Sequence, residues 1–356
     1  MTDTILVASR KGLLTLDAWS GALEDIAFRA DPVSAVLDDP RDGCRYAALK
    51  LGHFGVKLHR RDPDGAWKEV AVPVLPKGDA EDAPSLEMIW TMETGGADQP
   101  GTLWAGTLPA ALFRSDDRGE SWQIVESLWD LPERPKWFGG GYDHAGIHSL
   151  LVDPRDPDRL TIGISCGGIW RSADAGRSWR VAGKGLVADY MPPEQKEDPN
   201  IQDPHRLHAS AADPDVVWCQ HHNGIFRSAD GGDSFERLHA PVSSFGFAVV
   251  ADPNDPGTAW FAPAEKDERR IPVEQRFIVN RARQGGKAWD SFDEGLPQPP
   301  AFDLVYRHAM DISHDGSLIA MGSTTGSLWL GEEGGSRWRQ LSANLPPIAQ
   351  VAFGKV

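Results

Sequence analysis

"FRSDDRGESWQIV" at residues 113–125 returns as "WRSADAGRSWRVA" at 170–182 and again as "FRSADGGDSFERL" at 226–238. The shared skeleton is S-x-D-x-G-x-S-aromatic. It reads Ser115, Asp117, Gly119, Ser121, Trp122 in the first copy and Ser172, Asp174, Gly176, Ser178, Trp179 in the second. The third copy is Ser228, Asp230, Gly232, Ser234, Phe235. Worn copies flank them: "RRDPDGAW" closes at Trp67, "ARQGGKAW" at Trp289 and "GEEGGSRW" at Trp338. The closing aromatics are spaced by 55, 57, 56, 54 and 49 residues, and self-similarity at that period marks a repeat architecture.

The chemistry of the phrase is local. Apolar alternation precedes it ("ALFRS", "GIWRS", "GIFRS") and follows it ("WQIV", "WRVA"), so it joins two strands. The Asp carboxylate accepts backbone N–H groups across the turn, the glycine permits positive φ, and the aromatic packs between neighbouring sheets. This is a structural clasp on a hairpin. Two strands lie upstream in each unit. In "IHSLLVDPRDPDRLTIGISCGGIWRSADAGRSWRVA" they are residues 148–152 and 160–165, joined by an Asp-Pro turn. Four short strands per unit read as one propeller blade. Six units occupy residues 33–342. A seventh is completed by closure, with "ILVASRKGLLTLD" supplying outer strands and "IAQVAFG" (348–354) the inner one. The expectation is an all-β, seven-bladed β-propeller, one domain over 1–356, whose termini share a blade and leave no free edge.

The repeated phrase resembles the Asp box of sialidases and the wider BNR-repeat, glycosyl-hydrolase-like propellers, and the resemblance spans essentially the whole chain. It implies the propeller fold, with glycoside hydrolysis as one activity of such scaffolds. Sialidases also use an arginine triad, a tyrosine–glutamate pair and an acidic aspartate. Their early R-I-P phrase has only a displaced counterpart here, "RRIP" at 269–272.

A net charge of −16 and the lack of any basic run argue against nucleic acid or an anionic membrane as partner. No apolar run approaches the ~18 residues of a membrane helix. The N-terminus lacks the basic and apolar blocks of a signal peptide. Cys44, Cys166 and Cys219 are odd in number and far apart, as for free thiols in a reducing cytoplasm. A cytoplasmic monomer acting on a small polar molecule or a protein partner is expected.

With the clasps on one face, function belongs on the other. Long segments at 126–146, 183–204 and 262–275 would elaborate that face. Aligned on their Asp-Pro turns, "HSLLVDP" (148–154) and "HASAADP" (208–214) put His148 and His208 in one register, and "HAMDISH" adds His308. Ser34, Trp90 and Phe247 hold that place in other blades. Three imidazoles converging near the axis would hold a divalent metal: zinc, or iron or manganese with an added carboxylate. Asp143 and Glu265 are the candidate catalytic acid/base residues. Tyr142, His144, His205, His221, His222, Lys266 and Arg307 are the candidate substrate-binding residues, the last two for an anionic group. Three functions follow: a metal-assisted hydrolase or lyase, a non-catalytic scaffold binding a protein, or a glycoside hydrolase.

Overall fold

The computed structural model describes residues 4–77 and 84–354. Its strands form seven four-stranded antiparallel sheets, each a meander in chain order except the first. That first blade pairs Thr4–Ser9 with Ile348–Gly354 along its whole length, from Thr4 opposite Gly354 to Ser9 opposite Ile348. Gly12–Asp17 and Leu23–Ala27 complete it. The innermost strands of blades two to seven are Val33–Asp38, Met88–Thr94, Ile147–Asp153, Pro204–Ala209, Gly246–Ala251 and Met310–Ile312. Each packs against the next, and Ile348–Gly354 packs against both Met310–Ile312 and Val33–Asp38, so the ring closes. The chain is a seven-bladed β-propeller. Among the described residues no helix is long and apolar enough to cross a membrane, and Cys44, Cys166 and Cys219 are buried free thiols.

The clasps sit between the third and fourth strands of their blades, and their hydrogen bonds are the same in all three. Ser172 Oγ donates to Asp174 Oδ1 (2.8 Å) and accepts the Gly176 N–H (2.8 Å). Asp174 accepts the Ser178 N–H (2.9 Å) and hydroxyl (2.6 Å). The copies at Ser115–Asp117–Ser121 and Ser228–Asp230–Ser234 repeat these bonds within 0.1 Å.

The clasp is also a fastener between blades, which the repeat alone does not reveal. Tyr46, Trp104, Trp218 and Trp260 each take the second place of their blade's second strand, opposite Arg60, Arg114, Arg227 and Arg281. All four rings are fully buried. The clasp glycine of the following blade lands on such a ring: a Cβ on Gly119 would meet Tyr46, and one on Gly176 would meet Trp104, each at 3.8 Å. The neighbouring arginine caps the turn's carbonyls, as Arg60 does for Arg118 (3.0 Å), Arg171 for Asp230 (3.0 Å) and Arg281 for Gly334 (3.1 Å). Positive φ at Gly119, Gly176 and Gly232 excludes most side chains from the turn.

Candidate functional site

The inner strands share one irregularity. Pairing slips by a residue at Ser34, Trp90, His148 and His205, and again across Phe247–Ala248. A bulge re-aims the extra side chain. These positions therefore form one structural register, and His205 belongs to it rather than His208. The Asp-Pro at 213–214 is not the structural counterpart of Asp153-Pro154. Leu160 pairs with Val152 and Val217 with Ala209, so "DPDVV" (213–217) matches "DPDRL" (156–160), not Asp153-Pro154. His208 thus corresponds to Leu151.

This correction separates the three proposed metal ligands. His148, His208 and His308 all line the axial cavity, about 630 Å³, together with Trp90, Arg206 and Asp311. One ring nitrogen of each is engaged with a separate partner, and His148 Nε2 is buried without a hydrogen bond. His208 Nδ1 accepts the Ala251 N–H (3.1 Å), His308 Nε2 donates to the His148 carbonyl (2.6 Å), and His148 Nδ1 contacts Ser149 Oγ (3.0 Å). Burial holds all three well below the usual histidine range, His208 at about 3. They are neutral, separately engaged groups and do not form a metal-sized cluster.

Among the described residues one such cluster exists: Asp203, His205 and His222, whose ligand atoms lie within 4.8 Å of one another. Asp203 directly precedes the inner strand Pro204–Ala209, and His205 is the residue that the bulge in that strand re-aims. His222 comes from the turn between the second and third strands of the same blade. Asp203 Oδ2 lies 3.4 Å from His205 Nε2 and 3.4 Å from His222 Nδ1. The backbone fixes each element. His205 Nδ1 bonds the Gly246 carbonyl (2.7 Å), and its ring stacks on Phe247 at 4.5 Å. Asp203 Oδ1 accepts the Cys166 N–H (3.2 Å), and the Asp203 carbonyl accepts the His222 N–H (2.9 Å). Burial alone would raise the Asp203 carboxyl, but the histidines and Arg307 outweigh it and hold it well below the usual range. Burial lowers His205.

The cluster opens into a cleft of about 740 Å³ on the face opposite the clasps, between the long segments singled out in the sequence. Phe138, Tyr190, Phe245, Lys266, Asp267 and Glu268 wall it together with Asp203 and His222. Burial raises the Cys166 thiol, which makes it a poor nucleophile.

The other expected residues distribute unevenly. His205, His222 and Lys266 belong to this site. His221 is fully buried, and the N–H groups of Asp203 and Asn223 point at its two ring nitrogens (3.1 Å each), so it shapes the loops and cannot reach a substrate. Glu265 is paired with Arg269 (3.0 Å) and does not line the cleft. Asp143 and His144 lie in an exposed loop outside it, and Tyr142 packs on Trp90 with the Lys50 ammonium over its ring. The Arg307 guanidinium lies over Trp90 and Phe247, with its Nε buried and unpartnered. Asp203 itself was missed by the sequence reading. Its signal was the D-x-H spacing at the start of an inner strand.

No family model matches the chain. It is 22% identical over 317 residues to a xyloglucanase of Paenibacillus sp, covering 76% of this chain and 29% of that protein. It is 21% identical over 287 residues to a probable oligoxyloglucan-reducing end-specific xyloglucanase of Neosartorya fischeri, covering 72% and 32%. The chain thus spans about a third of the length of these curated relatives. Among solved structures, the GH74 xyloglucanase from Xanthomonas campestris superposes with a TM-score of 0.67 at 17% identity, over 96% of this chain and 53% of that one. A functionally unknown protein from Desulfotomaculum acetoxidans matches at 0.60 and 12% identity over 99% of both chains. YCF48 bound to a D1 peptide matches at 0.51 and 14% identity, over 87% and 81%. At these identities the likeness concerns the fold: a propeller architecture that glycoside hydrolases share with other proteins.

Proposed function

We propose that the chain is a glycoside-hydrolase-type propeller that takes a saccharide in the cleft opposite the clasps. The clasps support reading it as a propeller of the BNR-repeat type. The observation that carries the functional reading is the cleft itself: the rings of Phe138, Tyr190 and Phe245 face the same space as the carboxylates of Asp203, Asp267 and Glu268. Rings suit the apolar faces of a sugar, and carboxylates suit its hydroxyls. Glycoside hydrolysis needs one protonated carboxyl and one ionised partner across the scissile bond. Asp203 is the ionised one. A backbone hydrogen bond and Lys266 hold Glu268 below its usual range, so the proton donor would be Asp267 on the 262–275 excursion, once substrate displaces the Arg270 guanidinium that pairs with it at 2.6 Å. The names of the curated relatives support oligosaccharide over monosaccharide.

The test is a reducing-sugar assay on a panel of β-linked oligosaccharides, xyloglucan fragments included. Wild type should cleave at least one member, and Asp203→Asn should lower turnover by at least ~10²-fold without weakening the fold, the scale of a lost acid/base group. Absence of both cleavage and binding across the panel would refute the reading. The YCF48 complex favours one second reading, a peptide-binding propeller. In that case the same cleft would retain an extended peptide and no sugar.

A further inference from the structure

We infer that Asp203, His205 and His222 form a divalent transition-metal site, with Asp203 Oδ2, His205 Nε2 and His222 Nδ1 as ligands and its open side toward the cleft. Three geometric observations point there. First, a neutral imidazole carries one N–H, and His205 uses Nδ1 on the Gly246 carbonyl at 2.7 Å. Nε2 is therefore a lone pair, and it faces a carboxylate oxygen at 3.4 Å. In the neutral ring two acceptors confront each other in a buried place, and a metal ion between them would satisfy both, as a proton on the ring otherwise does.

Second, the two spacings to Asp203 are long for hydrogen bonds and fit ligand edges, and the two histidine nitrogens lie within 4.8 Å of each other. Charge-assisted N–H···O bonds run about 2.7–2.9 Å. Both histidine contacts to Asp203 Oδ2 are 3.4 Å. A tetrahedron with bonds of ~2.1 Å, as zinc makes to nitrogen and oxygen, has edges of about 3.4 Å. Third, the groups are held from behind as metal ligands are. The second nitrogen of His205 is on a carbonyl and the other carboxylate oxygen of Asp203 is on the Cys166 N–H, while the backbone N–H of His222 bonds the Asp203 carbonyl and so ties its loop, though not its ring, to the site. Two imidazoles and one carboxylate on one side, with the remaining positions open, suit zinc or iron(II).

The site differs from the axial histidines. It shares Asp203 and the cleft with the saccharide reading. It would recast Asp203 from a free carboxylate into a ligand.

The experiment uses untagged protein stripped with a chelator and dialysed. It is titrated calorimetrically with zinc chloride and, anaerobically, with ferrous sulfate. Cobalt(II) absorption reports the coordination geometry. Wild type should bind one equivalent of zinc and show the d–d bands of a tetrahedral cobalt site. His222→Ala, at a half-buried ring, and Asp203→Asn should each weaken zinc binding by ~100-fold or more. His208→Ala, in the axial cavity, should keep the full equivalent. Failure of the wild type to bind zinc or iron(II), or unchanged affinity in His222→Ala, would overturn the site. Sugar cleavage by stripped protein that also fails to bind metal would overturn this inference while leaving the saccharide reading standing. Metal binding without cleavage of any sugar would do the reverse.

Discussion

Ser172→Ala is the sharpest test of the clasp as a structural device. The hydroxyl makes three bonds: it donates to Asp174 Oδ1 at 2.8 Å, and accepts from Gly176 N at 2.8 Å and Asp174 N at 3.3 Å. Only the Gly176 bond is fully buried, and Gly176 is fixed at φ +79°, so its N–H cannot turn to find water. Orphaning one buried donor costs ~1–3 kcal/mol. At roughly 2.1 cal/mol/K of unfolding entropy per residue, a chain of this length loses about 1.3 °C of Tm per kcal/mol, so the expected drop is ~1.5–4 °C. Ser178 supplies the control. It is exposed, it bonds the same aspartate, and its removal should stay within ~0.5 kcal/mol. Ser115→Ala and Ser228→Ala should each repeat the Ser172 effect. Because the three clasps share no hydrogen-bond partner, the losses should add. Differential scanning calorimetry reads all of these directly. A Ser172→Ala protein with an unchanged Tm would refute the fastener, and one that kept its Tm yet lost ligand in the cleft would move the clasp into the functional site.

Hydrogen bonds from Ser178 hold Asp174 at about 2, and those from Ser313 and Ser317 hold Asp315 at about 2. A folded-state value below the unfolded one gives stability that is full above about pH 4 and is lost as pH falls toward 2; acid titration of Asp174→Asn should show a shallower loss in that window than wild type. Removing residues 348–356 strips the inner strand from Thr4–Ser9 and should leave the chain insoluble or unfolded by circular dichroism, whereas a soluble native-like product would deny the closure. Phe261→Ala removes a fully buried ring packed edge-on to Trp218 at 6.0 Å, and should cost ~3–5 kcal/mol in urea unfolding.

The propeller was legible because its signal is redundant. Six aromatics at a near-constant spacing, each closing an S-x-D-x-G-like turn, agree on the same unit, so a worn copy such as "ARQGGKAW" costs nothing. The closure at 348–354 was legible for the same reason: a ring of inner strands has one place vacant until the C-terminus fills it. The site has no such redundancy. It depends on single residues and on the register of a bulge, and one ambiguous Asp-Pro was enough to shift the alignment by three residues. The clasps held the remedy. Trp179 and Phe235 are 56 apart and Trp122 and Trp179 are 57 apart. The 56-residue step between the clasps of these two blades carries His148 to Pro204, one residue short of His205 and four short of His208.

Asp203 shows what a repeat cannot give. Its counterpart in the blade before is Gly146, which meets Trp90 and Leu108 where a Cβ would stand, so the carboxylate is particular to one blade. Function on this scaffold is a departure from the repeat. The face where departures gather, at 126–146, 183–204 and 262–275, was readable from loop length alone, and the cleft lies among those loops. Which side chains meet there was not readable. Which ring nitrogen His205 turns toward Asp203 is decided by the Gly246 carbonyl, which belongs to the neighbouring blade and is 41 residues away in sequence. The chemistry of the site is thus set across a blade boundary, by a contact that neither repeat unit contains alone.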